Sequence, residues 1–490
     1  MLDVPPNTPV LVGAAAVQQR CEQAGEGDEA SSLMVQALLK AADQAGSRDL
    51  LQQADRIEVP KGIWSYTDPG RLVADAIGAT AASTVLAEIG ILQQTLLNRA
   101  CASIARGEDR IVLVVGAEAK YRALRTQIAS TTATETEQHD AQPDLCLTPE
   151  AELWSPVESA TGLGMPVGYY AILDSALRAA QGLSVAQHRD QMARLYAAFS
   201  QVAAANPDAW VLEPAAAETI RDASSKNRML AFPYTRLHNS QWNVDQAAGL
   251  IFCAASTAQA LGVPRQQWVF PLAATESNAM SVLAARRELH RNYGFKLAGQ
   301  RALSLGHRTT DEIDLLELYS CFPQAVRVQL QELGLPEERE LTVTGAMTFG
   351  GGPLNNYVLQ ATAKMAERIR QQPGATGLVT SVSGMNTKQA CALYSCLPNP
   401  DGWQFEDVSD DVAAATDLCE VIGEYAGVAT IAGFTVLFQG DTPWRAVAVC
   451  DISQGLRTVA YSEEPALLAQ MQAQEWVSRE VRVSAGQFSA

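Results

Sequence analysis

The sequence predicts an α/β protein made of two similar βα halves, followed by a small C-terminal β-barrel-like domain that could be OB-like. Three observations predict it. Strand-like and helix-like segments alternate over the first 120 residues and again from about residue 244 to residue 397, the pattern of a parallel sheet with helices on its faces. A glycine–helix–glycine–strand order occurs twice, from Gly90 to a strand at Ile111–Gly116 and from Gly352 to a strand at Gly377–Val382. The composition then shifts after Pro398-Asn399-Pro400-Asp401-Gly402.

In residues 1–120, Val10–Ala15 is an apolar strand, and Ala30–Ala45 is a helix with apolar residues at helical spacing (Leu33, Val35, Leu38, Leu39, Ala42). Arg56–Pro60 is a short strand, Asp68–Ile77 a helix, Thr84–Ile89 a strand, Ile91–Arg106 a helix and Ile111–Gly116 a fully apolar strand. Residues 121–243 break this rhythm and form an inserted loop domain. There Thr126–Asp144 is polar and poor in aliphatics, which predicts loop, and helices are expected at Gly168–Ala180, Val185–Ala203 and Pro214–Ser224, with a turn at Asn206-Pro207. Residues 244–398 resume the βα order, opening with a helix over Val244–Leu261. Residues 401–490 carry short β segments (Val428–Phe438, Trp444–Asp451, Arg457–Tyr461) and one helix, Glu464–Trp476. This tail holds fourteen acidic residues against four arginines and no lysine. Such acidity disfavours nucleic acid, which needs a basic groove, and leaves docking of a protein partner or capping of the rest of the chain as the expected role.

At 490 residues the chain has room for several domains, and 47% hydrophobic with 18% charged residues is an ordinary globular balance. A net charge of −18 argues against a nucleic-acid or anionic-membrane surface as the main function. The start, MLDVPPNTPVLVG, has no basic segment followed by an apolar one, so no secretion signal is expected, and no apolar run approaches the ~20 residues needed to span a bilayer. Nine cysteines without a CxxC pair, and five scattered histidines, predict free thiols in a reducing cytoplasm and no metal site.

Two segments carry the chemistry. Asp314–Phe322 reads DLLELYSCF, a strand that delivers Tyr319, Ser320 and Cys321 from its end, and Gly345–Asn356 reads GAMTFGGGPLNN, a glycine-rich turn into a helix. With two more landmarks they follow a family's order. Gly107-Glu108-Asp109 runs into the strand IVLVVGAEA. Asn239-Ser240 precedes Asn243, Asp245, Ala247 and Ala248. ELYSCF stands where relatives carry HDCF or NEAF, and GGGPLNN where they carry GHP. From Val10 to about Leu397 the chain thus resembles the thiolase superfamily, and more closely its SCP2-thiolase and thiolase-like branch, often labelled acetyl-CoA acetyltransferase. The resemblance implies the five-layered αβαβα thiolase fold, coenzyme A or acyl-CoA as ligand with no permanently bound cofactor, and a transferase setting in lipid metabolism. It also implies a homodimer, or a monomer where the appended domain covers that interface.

Thiolase chemistry uses a thiolate to take the acyl group, a histidine to activate it, a second cysteine as acid/base, and oxyanion holes. Cys101-Ala102-Ser103 looks like the nucleophile motif, but Cys101 lies only six residues before Gly107, in the last turns of its helix, where the dipole opposes a thiolate. One helix length back from Gly107 is Gly90, so glycine takes the nucleophile position and Cys101 reads as a buried core thiol. Gly352 stands where the family has the histidine of GHP, while His238 and His307 read as surface or loop residues. Alignment on the Ser383-Gly384-Met385 turn places Thr380 at the second cysteine.

Cys321 matches the cysteine of HDCF, with Tyr319 and Ser320 replacing the His-Asp pair as neutral hydrogen-bond donors. Two readings stand: a catalytic thiol that relays a proton or carries an acyl group, or a buried structural thiol. Gly90, Gly351 and Gly352 either offer backbone N–H groups to a thioester oxygen or only open tight turns. Asn355 is a candidate for a pantetheine amide, Gly384, in a turn that resembles the family's, for substrate binding, and Lys226 and Arg228, with Arg236, for the coenzyme A phosphates. The expected function is a thiolase-like protein that binds coenzyme A or acyl-CoA without ordinary thiolysis or Claisen condensation. The alternatives are an acyltransferase of altered mechanism using Cys321, and a non-catalytic scaffold acting through the C-terminal domain.

Overall fold

The computed structural model describes residues 4–151, 153–453 and 455–490. The first three residues of the opening stretch, read above for a secretion signal, lie outside the described residues. In chain order residues 9–119 form β1 (Pro9–Gln19), α1 (Ala30–Ala45), α2 (Asp49–Gln52), β2 (Arg56–Pro60), α3 (Pro69–Ile77), β3 (Ser83–Ala87), α4 (Gln93–Arg106) and β4 (Ile111–Ala119). Then come α5 (Lys120–Ile128), β5 (Leu145–Leu147), α6 (Pro156–Ala160), α7 (Pro166–Ala180), α8 (Val185–Ala204), α9 (Ala217–Arg221) and the short hairpin of β6 (Met229–Ala231) and β7 (Tyr234–Thr235). Next are β8 (Asp245–Ala254), α10 (Ala255–Ala260), β9 (Phe270–Ser277), α11 (Tyr293–Leu305), β10 (Leu315–Glu317), α12 (Pro323–Leu333), α13 (Tyr357–Gln371), β11 (Thr376–Ser383) and β12 (Lys388–Ser395). The chain closes with β13 (Gln404–Asp407), α14 (Ser409–Ala415), β14 (Glu420–Val421), β15 (Gly427–Gln439), β16 (Thr442–Ser453), β17 (Leu456–Ser462), α15 (Pro465–Ala473), β18 (Glu480–Ser484) and β19 (Gln487–Ser489).

Five layers follow from which faces are apolar. One sheet has the order β1-β8-β4-β2-β3-β5 and a second the order β10-β11-β12-β9-β13. α4 and α13 pack between them, α1 and α3 cover the outer face of the first, and α11 covers the second with α12 against it. This is the αβαβα arrangement the sequence predicts. Its two central helices are those of the repeated glycine–helix–glycine–strand pattern.

Residues 244–261 depart from expectation. They form strand β8 and the short α10, not one helix, and β8 pairs antiparallel with both β1 and β4. All ten residues of β8 are buried, and a strand covered on both faces shows a continuous apolar run instead of alternation. Its alanines therefore imitate a helix. Gly249 has no side chain because a Cβ there would stand 3.0 Å from the Leu38 backbone of α1. Two smaller differences lie in the inserted region. Only Ala217–Arg221 of the expected helix Pro214–Ser224 is helical, and α5 takes the first residues of the stretch expected as loop from Thr126.

The C-terminal segment is a closed five-stranded barrel, β15-β16-β17-β19-β18 and back to β15. The expected strands are present, and the register adds β18 and β19. The barrel is knitted into the rest of the chain. Met229 and Phe232 share its core, the β6–β7 hairpin pairs with β15, and Arg178 of α7 forms an ion pair with Glu475 at 2.8 Å. The Arg457 guanidinium donates to the carbonyls of Arg286 and Arg287. β5 lies along the outer edge of β3, pairing Val85 with Leu145 and Ala87 with Leu147. Among the described residues no helix is long and apolar enough to cross a membrane, and no group of three or more His, Cys, Asp or Glu could hold a metal ion.

Candidate functional site

The two motif segments meet through Glu317, a residue that sequence reasoning missed because it lies in an otherwise apolar strand. Its carboxylate is fully buried at the end of β10. It accepts from the Val343 N–H at 2.7 Å, the Thr344 N–H at 2.9 Å, the hydroxyls of Thr342 and Thr344 at 3.1 Å and, by a short bond, the Tyr357 hydroxyl. Burial pushes the Glu317 carboxyl up, and these donors pull against that shift. One buried acid thus fixes the chain just before the glycine motif and the first turn of α13.

Beyond Glu317 the backbone presents Tyr319, Ser320 and Cys321 in three directions. The Tyr319 N–H donates to Thr380 Oγ1 at 2.8 Å, and that hydroxyl donates to Gln329 Oε1 at 2.6 Å. Thr380 is thereby a structural link between β11 and α12. Ser320 Oγ accepts from the Met347 N–H at 3.0 Å, so it braces the glycine segment. The Cys321 carbonyl accepts from the Ser240 N–H at 3.0 Å. Its thiol is buried beside the Tyr170 hydroxyl, and burial pushes it up to about 12. Phe322 stacks on Tyr170 with ring centroids 4.5 Å apart.

The glycine segment is a π-helical turn, Ala346–Gly350, followed by Gly351 at φ 104°, where a side chain would be strained. The 239–246 landmark lies against it. The Gln241 N–H donates to the Met347 carbonyl, the Gly352 N–H to the Gln241 carbonyl, both at 2.9 Å, and Gln246 Nε2 to the Gly350 carbonyl at 2.9 Å. A Cβ on Gly352 would stand 1.9 Å from Ser240 Oγ, and one on Gly351 would stand 2.1 Å from Gln246 Oε1. Neither glycine therefore has room for a side chain. Asn355 Nδ2 and both amide atoms of the neighbouring Asn356 are buried without a hydrogen-bond partner among the described residues.

Gly90 has φ 107°, and a Cβ there would stand 3.1 Å from the Pro149 ring. Its carbonyl accepts from Lys388 Nζ at 3.1 Å. Gly384, at φ 65°, turns the chain from β11 into β12, and the carbonyls of Met385 and Asn386 accept from the buried Arg286 guanidinium. Cys101 is a buried thiol inside α4, as expected, and burial pushes it well above the usual range.

Lys226 and Arg228 are exposed on the turn before β6, with the Arg236 N–H and guanidinium bonded to the carbonyls of Arg228 and Lys226. The three form one basic patch. No described hydrogen bond joins it to the Tyr319–Cys321 group.

His307 is exposed beside Asp401, in line with its reading. His238 is not a surface residue. It is buried in a 3-10 turn where Nδ1 accepts from the Thr235 N–H at 3.2 Å, with Tyr196 and Tyr234 packed on the ring. Burial pushes it down to about 3. A second buried imidazole, His188, bonds Asp174 at 3.1 Å, and Asp174 also accepts from the Tyr234 hydroxyl at 2.7 Å and from Arg327. The separate helices that meet here hide this group from sequence reading. Three surface cavities, the largest about 620 Å³ between α8 and residues 337–342, leave Cys321, Gly90 and Gly352 outside their walls.

The monomeric SCP2-thiolase like protein type 1 from Mycobacterium smegmatis is 26% identical to this chain, with a TM-score of 0.83 over 98% of this chain and 97% of that one. The dimeric peroxisomal thiolase of Saccharomyces cerevisiae is 16% identical (TM-score 0.58; 80% of this chain, 98% of that chain), and human mitochondrial 3-ketoacyl-CoA thiolase 15% identical (0.55; 80% and 100%). No protein-family model and no curated protein matches the chain. The layers and motif order define a member of the thiolase superfamily. The similarity to the SCP2-thiolase like protein runs over the full length and includes the C-terminal barrel.

Proposed function

We propose that the chain binds coenzyme A or an acyl-CoA thioester without carrying out ordinary thiolysis or Claisen condensation. The observation that carries this reading is the occupation of the three positions where the superfamily's chemistry is expected. Gly90 faces Pro149 and Lys388, Gly352 faces Ser240, and Thr380 is held between Tyr319 and Gln329. None supplies a thiolate or an imidazole. The turns at Gly90, Gly351 and Gly384 offer backbone N–H groups to a thioester oxygen, the unpartnered Asn355 Nδ2 suits a pantetheine carbonyl, and Lys226 and Arg228 suit the phosphates. Coenzyme A is a passing ligand in this reading, the protein is a cytoplasmic monomer, and its setting is acyl-thioester metabolism.

Calorimetry with coenzyme A, together with an acetoacetyl-CoA thiolysis assay, tests the reading. Binding without turnover supports it. A covalent acyl adduct after incubation with acetyl-CoA, lost in Cys321→Ala, would instead support an altered acyltransferase using Cys321 with Tyr319 and Ser320. The raised Cys321 thiol argues against that outcome. Absence of coenzyme A binding would leave a scaffold role through the barrel.

A further inference from the structure

We propose that Lys388 is a carbonyl-capturing amine at the Gly90 turn, and that the site takes a ketone or aldehyde group by imine formation. Lys388 opens β12 and is 3% exposed. Its one described hydrogen bond goes to the Gly90 carbonyl at 3.1 Å, although an ammonium has three donors to satisfy. The amine therefore faces the turn at which the sequence leaves the nucleophile position without a side chain.

Two surroundings favour the uncharged form of this amine more than at an exposed lysine. The desolvated position pulls Lys388 below the ordinary lysine range, against the opposing pull of the Glu150 and Glu276 carboxylates. α4 starts at Gln93, three residues beyond Gly90, with no side-chain cap, and the positive end of its dipole disfavours a neighbouring cation. Glu276 suits the product instead. The pairing of Ala390 with Glu276 puts Lys388, two residues from Ala390, on the same sheet face as that carboxylate. That face is turned toward α4, because Glu276 accepts from the Thr95 hydroxyl at 2.9 Å and from Asn98 Nδ2 at 3.0 Å. Glu276 and Lys388 interact through space but form no ion pair within 4.0 Å among the described residues.

The chemistry balances without an oxidant or reductant. The neutral Nζ attacks the carbonyl carbon, a C–N bond forms, and the carbonyl π pair moves to oxygen, which gains the proton lost by nitrogen. The hydroxyl then takes a solvent proton and leaves as water, giving an iminium cation on the same face as the Glu276 carboxylate. A ketone bound this way becomes an electron sink for bonds at its neighbouring carbon. The inference does not require coenzyme A as the carrier, so it can hold or fail separately from the coenzyme A reading.

The full-length protein, incubated near neutral pH with cyanoborohydride and either acetoacetyl-CoA or ethyl acetoacetate, is read by intact mass and peptide mapping. The expected result is one reduced adduct per chain, mapped to Lys388, at probe levels that leave the exposed Lys226 unmodified. The adduct is lost in Lys388→Arg, which keeps a donor for the Gly90 carbonyl. Adduct from either probe upholds the inference, while calorimetry with coenzyme A decides the carrier independently. Labelling confined to exposed lysines, with Lys388 intact in wild-type protein of native circular dichroism, would overturn it. A merely structural tether would give that second result.

Discussion

Ser240 Oγ lies 1.9 Å from the point where a β-carbon on Gly352 would stand. The serine comes from the landmark that precedes β8 and the glycine from the motif that precedes α13; on the proposed reading that glycine stands where thiolase relatives carry a histidine. Restoring the imidazole is therefore a packing problem before it is a chemical one. Gly352→His should cost about 1–3 kcal/mol by overpacking, and adding Ser240→Gly should recover part of the loss. Urea denaturation of the two variants checks this. Unchanged stability in Gly352→His would mean the serine does not hold that space.

Glu317 binds the two motif segments together. Glu317→Leu leaves the Val343 and Thr344 N–H groups and the threonine and tyrosine hydroxyls without their acceptor. The expected loss is about 3 kcal/mol or more, read as a lower denaturation midpoint with an unchanged slope.

Acid should loosen the inserted region. Burial lowers His188 to about 4 and His238 to about 3 from the ordinary 6.5, so both rings are neutral when folded. Between those values and 6.5 the unfolded chain binds more protons than the folded one. Stability therefore rises with pH across that window and is lost as pH falls below 6.5, by at most about 1.4 kcal/mol per pH unit for each ring. Denaturation series at about pH 7 and about pH 5 should differ more in wild type than in His238→Gln.

Much of this architecture was legible in the sequence, and what was not has a common cause. Ala30–Ala45 has its observed bounds because one-sided burial leaves a periodic signal. β8 reads as a helix in the sequence because burial on both faces erases that signal. The glycines at 90 and 352 could be placed by counting helix lengths from Gly107 and by the motif itself. Glu317, Lys388 and the Asp174–His188 pair could not, since a charged residue acquires its meaning only from distant segments that bury it. For Cys321 the sequence leaves two readings, a catalytic thiol or a buried structural one, because the Tyr170 of α7 that its thiol meets is distant in the chain.

The barrel should not be separable. Ending the chain after Pro400 removes Glu475 from Arg178 and the barrel core from Met229 and Phe232. The truncated protein should be insoluble or melt well below the full chain in calorimetry. A truncation that melts as the full chain does would contradict this.

The central claim is that this thiolase fold keeps a ligand site while its ordinary catalytic positions are filled. Titrating coenzyme A into the protein in a calorimeter, with acetoacetyl-CoA thiolysis followed on the same sample, tests it most directly. Saturable binding with no turnover above the uncatalysed rate is expected. Thiolysis at rates ordinary for an enzyme, or no heat of binding at all, would contradict it.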